Sequence, residues 1–336
     1  MDVARHAEVT TMTVSRALRD PAGVAPLTAA KVREAVDAVG YRPNKQAGLL
    51  ASGRSQIVAA IIPNIASSIF AETVQGLTDS LQGHGLELML AASGYSMERE
   101  EQQLRAVLGW APAAVVVTGR RHSSGALALL EQARASGTPV IEVWDHPEGE
   151  HAGGFVQIGF DHHKVGAVMA AHLIERGHRD MAYVDSGVAE DFRAHERGQG
   201  FVQAALAAGA QARIFSAQAL EPMAAGRAAL LILHRIGLPR ALAFANDQLA
   251  AGAVLQAQAM GISIPQQLAI LGFGAFPIAE HLAGGISTVR VARYAIGHSA
   301  GVHVLRELQT AARTGTAQMA DAPTDLEPQL VVRATT

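Results

Sequence analysis

Residues 2–16 read Asp2-Val3-Ala4-Arg5-His6-Ala7-Glu8-Val9-Thr10-Thr11-Met12-Thr13-Val14-Ser15-Arg16, the pattern of a helix, a tight turn and a second helix. Val3, Ala4 and Ala7 fall on one helical face, and Val14, Ala17 and Leu18 on another. Thr10 is placed to cap a helix over 11–18, and Asp20-Pro21-Ala22-Gly23 reads as a turn. A third helix, with Val32, Ala35, Val36 and Val39 on its apolar face, stops at Gly40. The hydroxyl-rich start of the second helix is the informative part. A recognition helix meets base edges with its first turn, where Thr, Ser and Arg can bond bases or phosphates. A capped surface helix has the same pattern, so the residues alone leave both readings open. Tyr41-Arg42-Pro43-Asn44 then breaks any helix, 45–51 has room for one more short one, and Ser52-Gly53-Arg54-Ser55 reads as a linker.

From residue 56 the rhythm changes. Short apolar or β-branched runs at 57–62, 86–91, 113–117, 140–143, 181–184, 242–245 and 268–271 alternate with amphipathic stretches at 70–82, 97–108, 164–176, 198–208 and 247–260. Strand–helix–strand alternation implies parallel sheets with helices on both faces. About ten strands are too many for one open sheet, so two doubly wound subdomains with a cleft between them are expected. Ligands in such folds sit beyond the carboxyl ends of the strands.

The chain has 336 residues, 49% hydrophobic and 17% charged, which excludes intrinsic disorder. No apolar run reaches the roughly 18 residues a membrane span needs, and the amino terminus lacks a secretory apolar region, so a cytoplasmic protein is expected. Cysteine is absent, which excludes disulfides, cysteine-rich zinc sites and thiol catalysis. The net charge of −3 hides an asymmetry: residues 1–56 carry eight basic and five acidic side chains, the other 280 carry 19 basic and 25 acidic. A basic head on an acidic body points to a nucleic-acid contact confined to one end, although a solvated face gives the same count.

Taken together, Asp2-Val3-Ala4, Val9-Thr10, Thr13-Val14-Ser15-Arg16 with Leu18, and Gly40-Tyr41-Arg42-Pro43-Asn44 resemble the head of the lactose-repressor (LacI/GalR) family of transcription regulators. Phe244-Ala245-Asn246-Asp247-Gln248-Leu249-Ala250-Ala251-Gly252-Ala253 and Leu326-Glu327-Pro328-Gln329-Leu330-Val331-Val332-Arg333 resemble signatures of its ligand domain, so the likeness covers essentially the whole chain. Met12-Thr13-Val14-Ser15-Arg16, Phe70-Ala71-Glu72, Gly94-Tyr95 and Ile158-Gly159-Phe160-Asp161 look most like the gluconate-operon repressor branch.

The resemblance implies an all-α helix-turn-helix head over 1–43, a hinge helix and linker over 44–55, and an α/β periplasmic-binding-protein-like effector domain over 56–336. Its N-subdomain would hold about 56–157 and 286–318, and its C-subdomain about 158–285 and 319–336. Thr11 and Met12 would read major-groove bases, with Thr10, Thr13, Ser15 and Arg16 fixing the helix on bases and phosphates. Asn44, Ala47 and Leu50 of the hinge would meet the operator centre, Leu50 as a wedge in the minor groove. Three departures stand out. Met1 lies where the family's first helix has already begun, so residues that usually contact phosphate are absent, and a start codon further upstream would account for this. Glu8 occupies a turn position usually held by Gly. Ala25-Pro26 replaces the common Ser cap of the third helix, and Ala29 stands where a basic residue is frequent.

By the same matching, effector contacts are expected from Ile69 and Phe70 after the first strand, from Glu142 and Asp145 after the fourth, and from Asp161 after the strand at 155–158. Arg193 and Arg197 are the cationic candidates, Arg197 being the family's anchor position. Asn246 follows the strand at 242–245, and Phe273 and Phe276 follow that at 268–271. Asn246 and Asp161 are equally placed to cap helices, and Phe273 and Phe276 to be plain core. Gly274-Ala275 stands where many members have an Asp, which leaves Arg197 less neutralised and suits a sugar acid over a neutral sugar.

Enzyme signals are weak. Gly297-His298-Ser299-Ala300-Gly301 fits G-x-S-x-G, but it lies inside a helical run, and His303 precedes Asp321 and Asp325, so the order Ser, acid, His fails. Asp161-His162-His163 lacks the i,i+4 spacing of helical metal ligands, and the fourteen histidines read as solvated side chains. No metal, cofactor or catalytic residue is expected. The expected protein is a homodimeric repressor on pseudo-palindromic operator DNA, controlled by a sugar or sugar-acid effector and not tied to a membrane. A ligand-binding protein with degraded DNA binding is the alternative, and a serine hydrolase the remote one.

Overall fold

A computed structural model describes residues 2–20, 23–41, 55–65, 68–146, 154–218, 221–282, 284–313 and 326–336. The chain divides into one unit of Met1–Ser55 and another of Gln56–Thr336. The hinge positions Asn44, Ala47 and Leu50 lie outside the described residues.

The first unit holds α1 (Asp2–His6), α2 (Thr11–Arg19) and α3 (Pro26–Val39). Thr10 caps α2 as expected, its Oγ1 accepting the Thr13 N–H at 3.1 Å. Gly40 ends α3 at φ 64°, and Ala25 gives α3 no side-chain cap. Val3, Ala4, Ala7, Val14, Ala17, Val32 and Ala35 form the core. Leu18 differs from expectation: it is 37% exposed, because the small core is already filled by Val14 and Ala17 from the same helix. Glu8 sits at φ 55°, the left-handed turn conformation that the usual Gly adopts freely.

In the second unit, β1 (Ile57–Ile62), β2 (Glu87–Ala92), β3 (Ala114–Thr118), β4 (Val140–Val143) and β5 (Val156–Ile158) form a parallel sheet in the order β2-β1-β3-β4-β5. A second sheet runs β11-β10-β9-β8-β6-β7. Its members are β6 (Asp180–Val184), β7 (Gln211–Phe215), β8 (Ala241–Phe244), β9 (Ala269–Phe273), β10 (Ser287–Arg290) and β11 (Gln329–Val331). The sheet is parallel except where β11 meets β10. The central strands are unbroken apolar runs because both faces are covered: Val58, Ala60 and Ile62 of β1 pack in one core cluster, Ala59 and Ile61 in another.

The helices are α4 (Ser68–Leu81), α5 (Met97–Leu108), α6 (Ser124–Ala135), α7 (His162–Glu175), α8 (Phe192–Ala207), α9 (Pro222–Ile236), α10 (Asp247–Ala259), α11 (Pro277–His281) and α12 (Arg293–Arg313). The two subdomains are therefore as expected, but their boundary is not. β10 still pairs with β9, and the chain returns to the first subdomain only with α12, which packs on α4, so the switch expected at 286 falls after Arg290. Gly297-His298-Ser299-Ala300-Gly301 lies within α12. A Cβ on Gly297 would strike the carbonyl of Thr73, and one on Gly76 the carbonyl of Tyr294. These glycines let two helix backbones cross closely; they form no nucleophile elbow.

Candidate functional site

In the first unit, the cap and core fix which face of α2 is outward. With Val14 and Ala17 buried, Thr10, Thr11, Met12, Ser15 and Arg16 are exposed and Thr13 is half-buried. Met12 is 82% exposed, an apolar side chain on the outer face of α2. The Thr10 and Thr13 hydroxyls hydrogen-bond at 2.9 Å, closing the first turn. The expected DNA-reading residues thus form one hydroxyl-rich, cationic helix face.

In the second unit, the carboxyl ends of the strands converge on a small cavity of about 40 Å3. The first subdomain contributes Ile69 and Phe70 of α4, Tyr95 after β2 and Trp144 after β4. The second contributes His162 of α7, Asp191, Arg193 and Arg197 around the start of α8, Ala245 and Asn246 after β8, and Phe273 and Phe276 at and after the end of β9. Seven expected residues line it: Ile69, Phe70, Arg193, Arg197, Asn246, Phe273 and Phe276. Asn246 also caps α10, its Oδ1 accepting the Leu249 N–H at 3.0 Å.

Three expected residues do not line it. Glu142 lies within β4 and turns into its own subdomain, where it accepts from Gln157 Nε2 at 2.5 Å and from His122 Nε2 at 3.3 Å. Asp161 caps α7 by accepting the N–H groups of His163 and Lys164. Asp145 stands behind the wall, accepting the Arg120 N–H at 3.0 Å and lying 3.5 Å from His162 Nε2. Burial pushes the Asp145 carboxyl up to about 6, against the pull of Arg193 and Arg120.

Five lining residues escaped the sequence reading: Tyr95, Trp144, His162, Asp191 and Ala245. Each follows a strand end, so applying the strand-end rule to every strand would have found them. His162 corrects the reading of the histidines as solvated: it is buried, as are His172 and His303. Its Nε2 lies 2.7 Å from the Trp144 carbonyl, and its Nδ1 lies 2.9 Å from Arg197 Nη1. A guanidinium can only donate, so Nδ1 is the acceptor and Nε2 carries the proton. Burial, with Arg197 and Arg193 nearby, holds this imidazole well below its ordinary pKa and so neutral.

Arg197 is buried and lies flat over Phe273, 3.9 Å from guanidinium carbon to ring centre. Its Nη2 donates to the Ala245 carbonyl at 3.0 Å, and its Nε has no partner. Both of its acceptors are neutral, and no described carboxylate pairs with it. Asp191 lines the same cavity but caps α8 through the Ala194 N–H. Burial, reinforced by Asp191, pushes the Tyr95 hydroxyl far up, so it is a neutral donor. The cavity therefore offers an uncompensated buried cation, a second cation in Arg193, hydroxyl and amide partners, and aromatic walls. No group of metal-ligating side chains is found among the described residues.

Residues 1–44 match the family model described as bacterial regulatory proteins, lacI family, and residues 170–336 that of a periplasmic binding protein-like domain. The HTH-type transcriptional regulator GntR of Pseudomonas aeruginosa is 34% identical over 307 residues, covering 90% of this chain and 87% of that protein. GntR of Escherichia coli K12 is 30% identical over 310 residues, covering 92% and 91%. A LacI-family transcriptional regulator of known structure from Silicibacter pomeroyi is 30% identical, with a TM-score of 0.88 over 99% of this chain and 98% of that one. The chain belongs to the lacI family of bacterial regulatory proteins: it is a DNA-binding transcriptional regulator and not an enzyme.

Proposed function

We propose that this regulator is a homodimeric repressor whose grip on a pseudo-palindromic operator is set by a small hydroxylated acid, with gluconate the leading candidate. One observation carries the choice of an acid: the buried Arg197 guanidinium is bonded only to neutral acceptors. A desolvated charge without a counter-charge is costly, and a carboxylate in the cavity would supply it through a bidentate pair. Tyr95, Asn246 and Asp191 stand ready for hydroxyls, and the apolar faces of Phe70, Trp144 and Phe276 for the carbon chain. Gly274-Ala275, in place of an acidic residue, is consistent with the same preference. On the DNA side, the exposed face of Thr11, Met12, Ser15 and Arg16 supports major-groove reading.

The test is a thermal-shift series on the full chain with D-gluconate, other aldonic acids and D-glucose, joined to anisotropy measurements on its own upstream duplex. A ligand at about 100 times its Kd stabilises by roughly 2.7 kcal/mol. Gluconate is expected to stabilise and glucose not, with the response lost in Arg197→Gln and duplex affinity changed by the active acid. A chain that responds to no acid, or an Arg197→Gln variant that responds undiminished, overturns the reading.

A further inference from the structure

The cavity described above uses the carboxyl ends of the strands. At the amino ends of the second sheet, the opposite side, lies an open groove of about 660 Å3. Arg176, His178 and Arg179 reach it from the α7–β6 connection, Asp180 from the start of β6, Arg240 from just before β8, and Gln267 from the turn before β9. Three guanidinium groups face one carboxylate here, on a body whose residues 57–336 carry 19 basic and 25 acidic side chains.

Helix ends account for part of this charge. Cations suit a helix C-terminus, and Arg179 Nη1 donates to the carbonyls of Ile174 at 3.0 Å and His178 at 3.2 Å, where α7 ends. Arg176 and Arg240 are not used in this way: neither side chain hydrogen-bonds or pairs with any described residue. Gln267 spends its Oε1 on the Ser263 N–H and hydroxyl, which leaves its amide donors for a ligand. The excess field registers on His178, whose imidazole is held below its ordinary pKa by burial and then by Arg240.

We propose that this groove binds a small phosphorylated anion, at a site separate from the effector cavity, with Arg176 and Arg240 as its principal contacts. Planar guanidinium forks match phosphoryl oxygens two at a time, and Asp180 leaves the cluster a net positive charge for such a ligand. The site rests on the groove alone and stands whether or not the cavity takes an acid.

Calorimetry on the full chain, with pyrophosphate as probe and sulfate at matched ionic strength as control, tests it. Pyrophosphate should bind at least tenfold more tightly than sulfate, and the Arg176→Glu/Arg240→Glu double variant should lose at least tenfold. Both arginines are exposed, so the variant should melt like the parent. Arg197→Gln should bind pyrophosphate normally, which separates this site from the cavity. In the unaltered chain, pyrophosphate should raise the His178 pKa seen by NMR. A parallel titration with glucose 6-phosphate decides between a metabolite ester and free polyphosphate, according to which binds more tightly. Pyrophosphate no tighter than sulfate, an unmoved His178, or undiminished binding in the folded double variant would each overturn the proposal.

Discussion

Glu196→Gln should weaken effector binding without unfolding either subdomain. Glu196 lies on α8 of the second subdomain, and its Oε1 accepts from Arg120 Nη2 at 2.9 Å and Arg121 Nη2 at 2.7 Å, both from the segment after β3 of the first. The glutamate side chain is 12% exposed, Arg120 29% and Arg121 49%. A charge-assisted bond in a mostly buried setting contributes about 1.5–3 kcal/mol, while the half-exposed partner adds about 0–1 kcal/mol after solvent screening. A glutamine keeps the shape and part of the hydrogen bonding, so a loss of about 2 kcal/mol is the reasonable figure. These contacts bridge the two subdomains that wall the cavity, so they form only when the walls are together, and their loss is charged to closure on ligand. About 2 kcal/mol is near 30-fold in Kd. Calorimetric titration of gluconate into the parent and Glu196→Gln, at low and high salt, measures it, with the gap narrowing as salt screens the parent's pair. Glu101→Gln is the control, because its Arg105 pair lies within α5 alone. A Kd within twofold of the parent, or an equal change in Glu101→Gln, refutes the clasp.

Burial disfavours the charged form of His122, but the hydrogen bonds and charges of Glu100 and Glu142 outweigh it and raise the pKa to about 9. A pKa raised in the folded state stabilises fully below the unfolded value near 6.5 and is lost as pH climbs to about 9, so the unfolding free energy should fall by up to about 3 kcal/mol across that window. Urea titrations in Glu142→Gln should show a flatter profile. Gly297→Ala should cost about 1–3 kcal/mol in the same assay, because its Cβ meets the Thr73 carbonyl and forces α12 off α4; no measurable cost would contradict the close crossing. On DNA, Arg16→Ala should weaken every duplex alike and reduce the salt slope by about 1, whereas Met12→Ala should alter base preference with little change in slope.

The parts of the fold that could be read in advance were those governed by local rules. The Thr10 cap, the Gly40 stop and the β1, β4 and α5 boundaries are each decided within a few residues. Phe70, Asn246 and Phe273, expected by matching to the family at or after strand ends, do line the cavity. The site was not legible where a single residue step decides direction. Glu142 was placed after β4 but lies inside it, against His122 and Gln157; Trp144, two residues on, would share its face in a continued strand, but it lies past the strand end at φ 75° and lines the cavity instead. His162 was misread because adjacent histidines look alike in sequence. One opens α7 beneath the Trp144 carbonyl, whereas the other gives its N–H to Asp161. Pairings of residues far apart in the chain, such as Arg120 with Glu196, leave no local trace at all.

Those distant pairings are also what join ligand to conformation. Trp144 belongs to the first subdomain, and its carbonyl faces His162 Nε2; His162 in turn accepts from Arg197, and Arg197 donates to Ala245 of the second. Trp144 Nε1 donates to Thr73 Oγ1 at 3.2 Å, and Thr73 donates to the carbonyl of Arg293, where α12 begins. Arg293 then reaches Glu72 at 2.6 Å and the Ala275 carbonyl at 3.4 Å, so it too touches both subdomains. The cation that would receive an acid is mounted on the second wall, and through His162 and the Trp144 carbonyl it is joined to the first. It is held by a chain of directional bonds that crosses the cleft floor and ends at a segment where the polypeptide passes between subdomains. A charge arriving at Arg197 would change the balance of bonds between the walls, and an effector acts only through its different affinity for two arrangements. Packed between Phe273 and a neutral histidine, Arg197 keeps a charge that no described carboxylate meets and that an acid would.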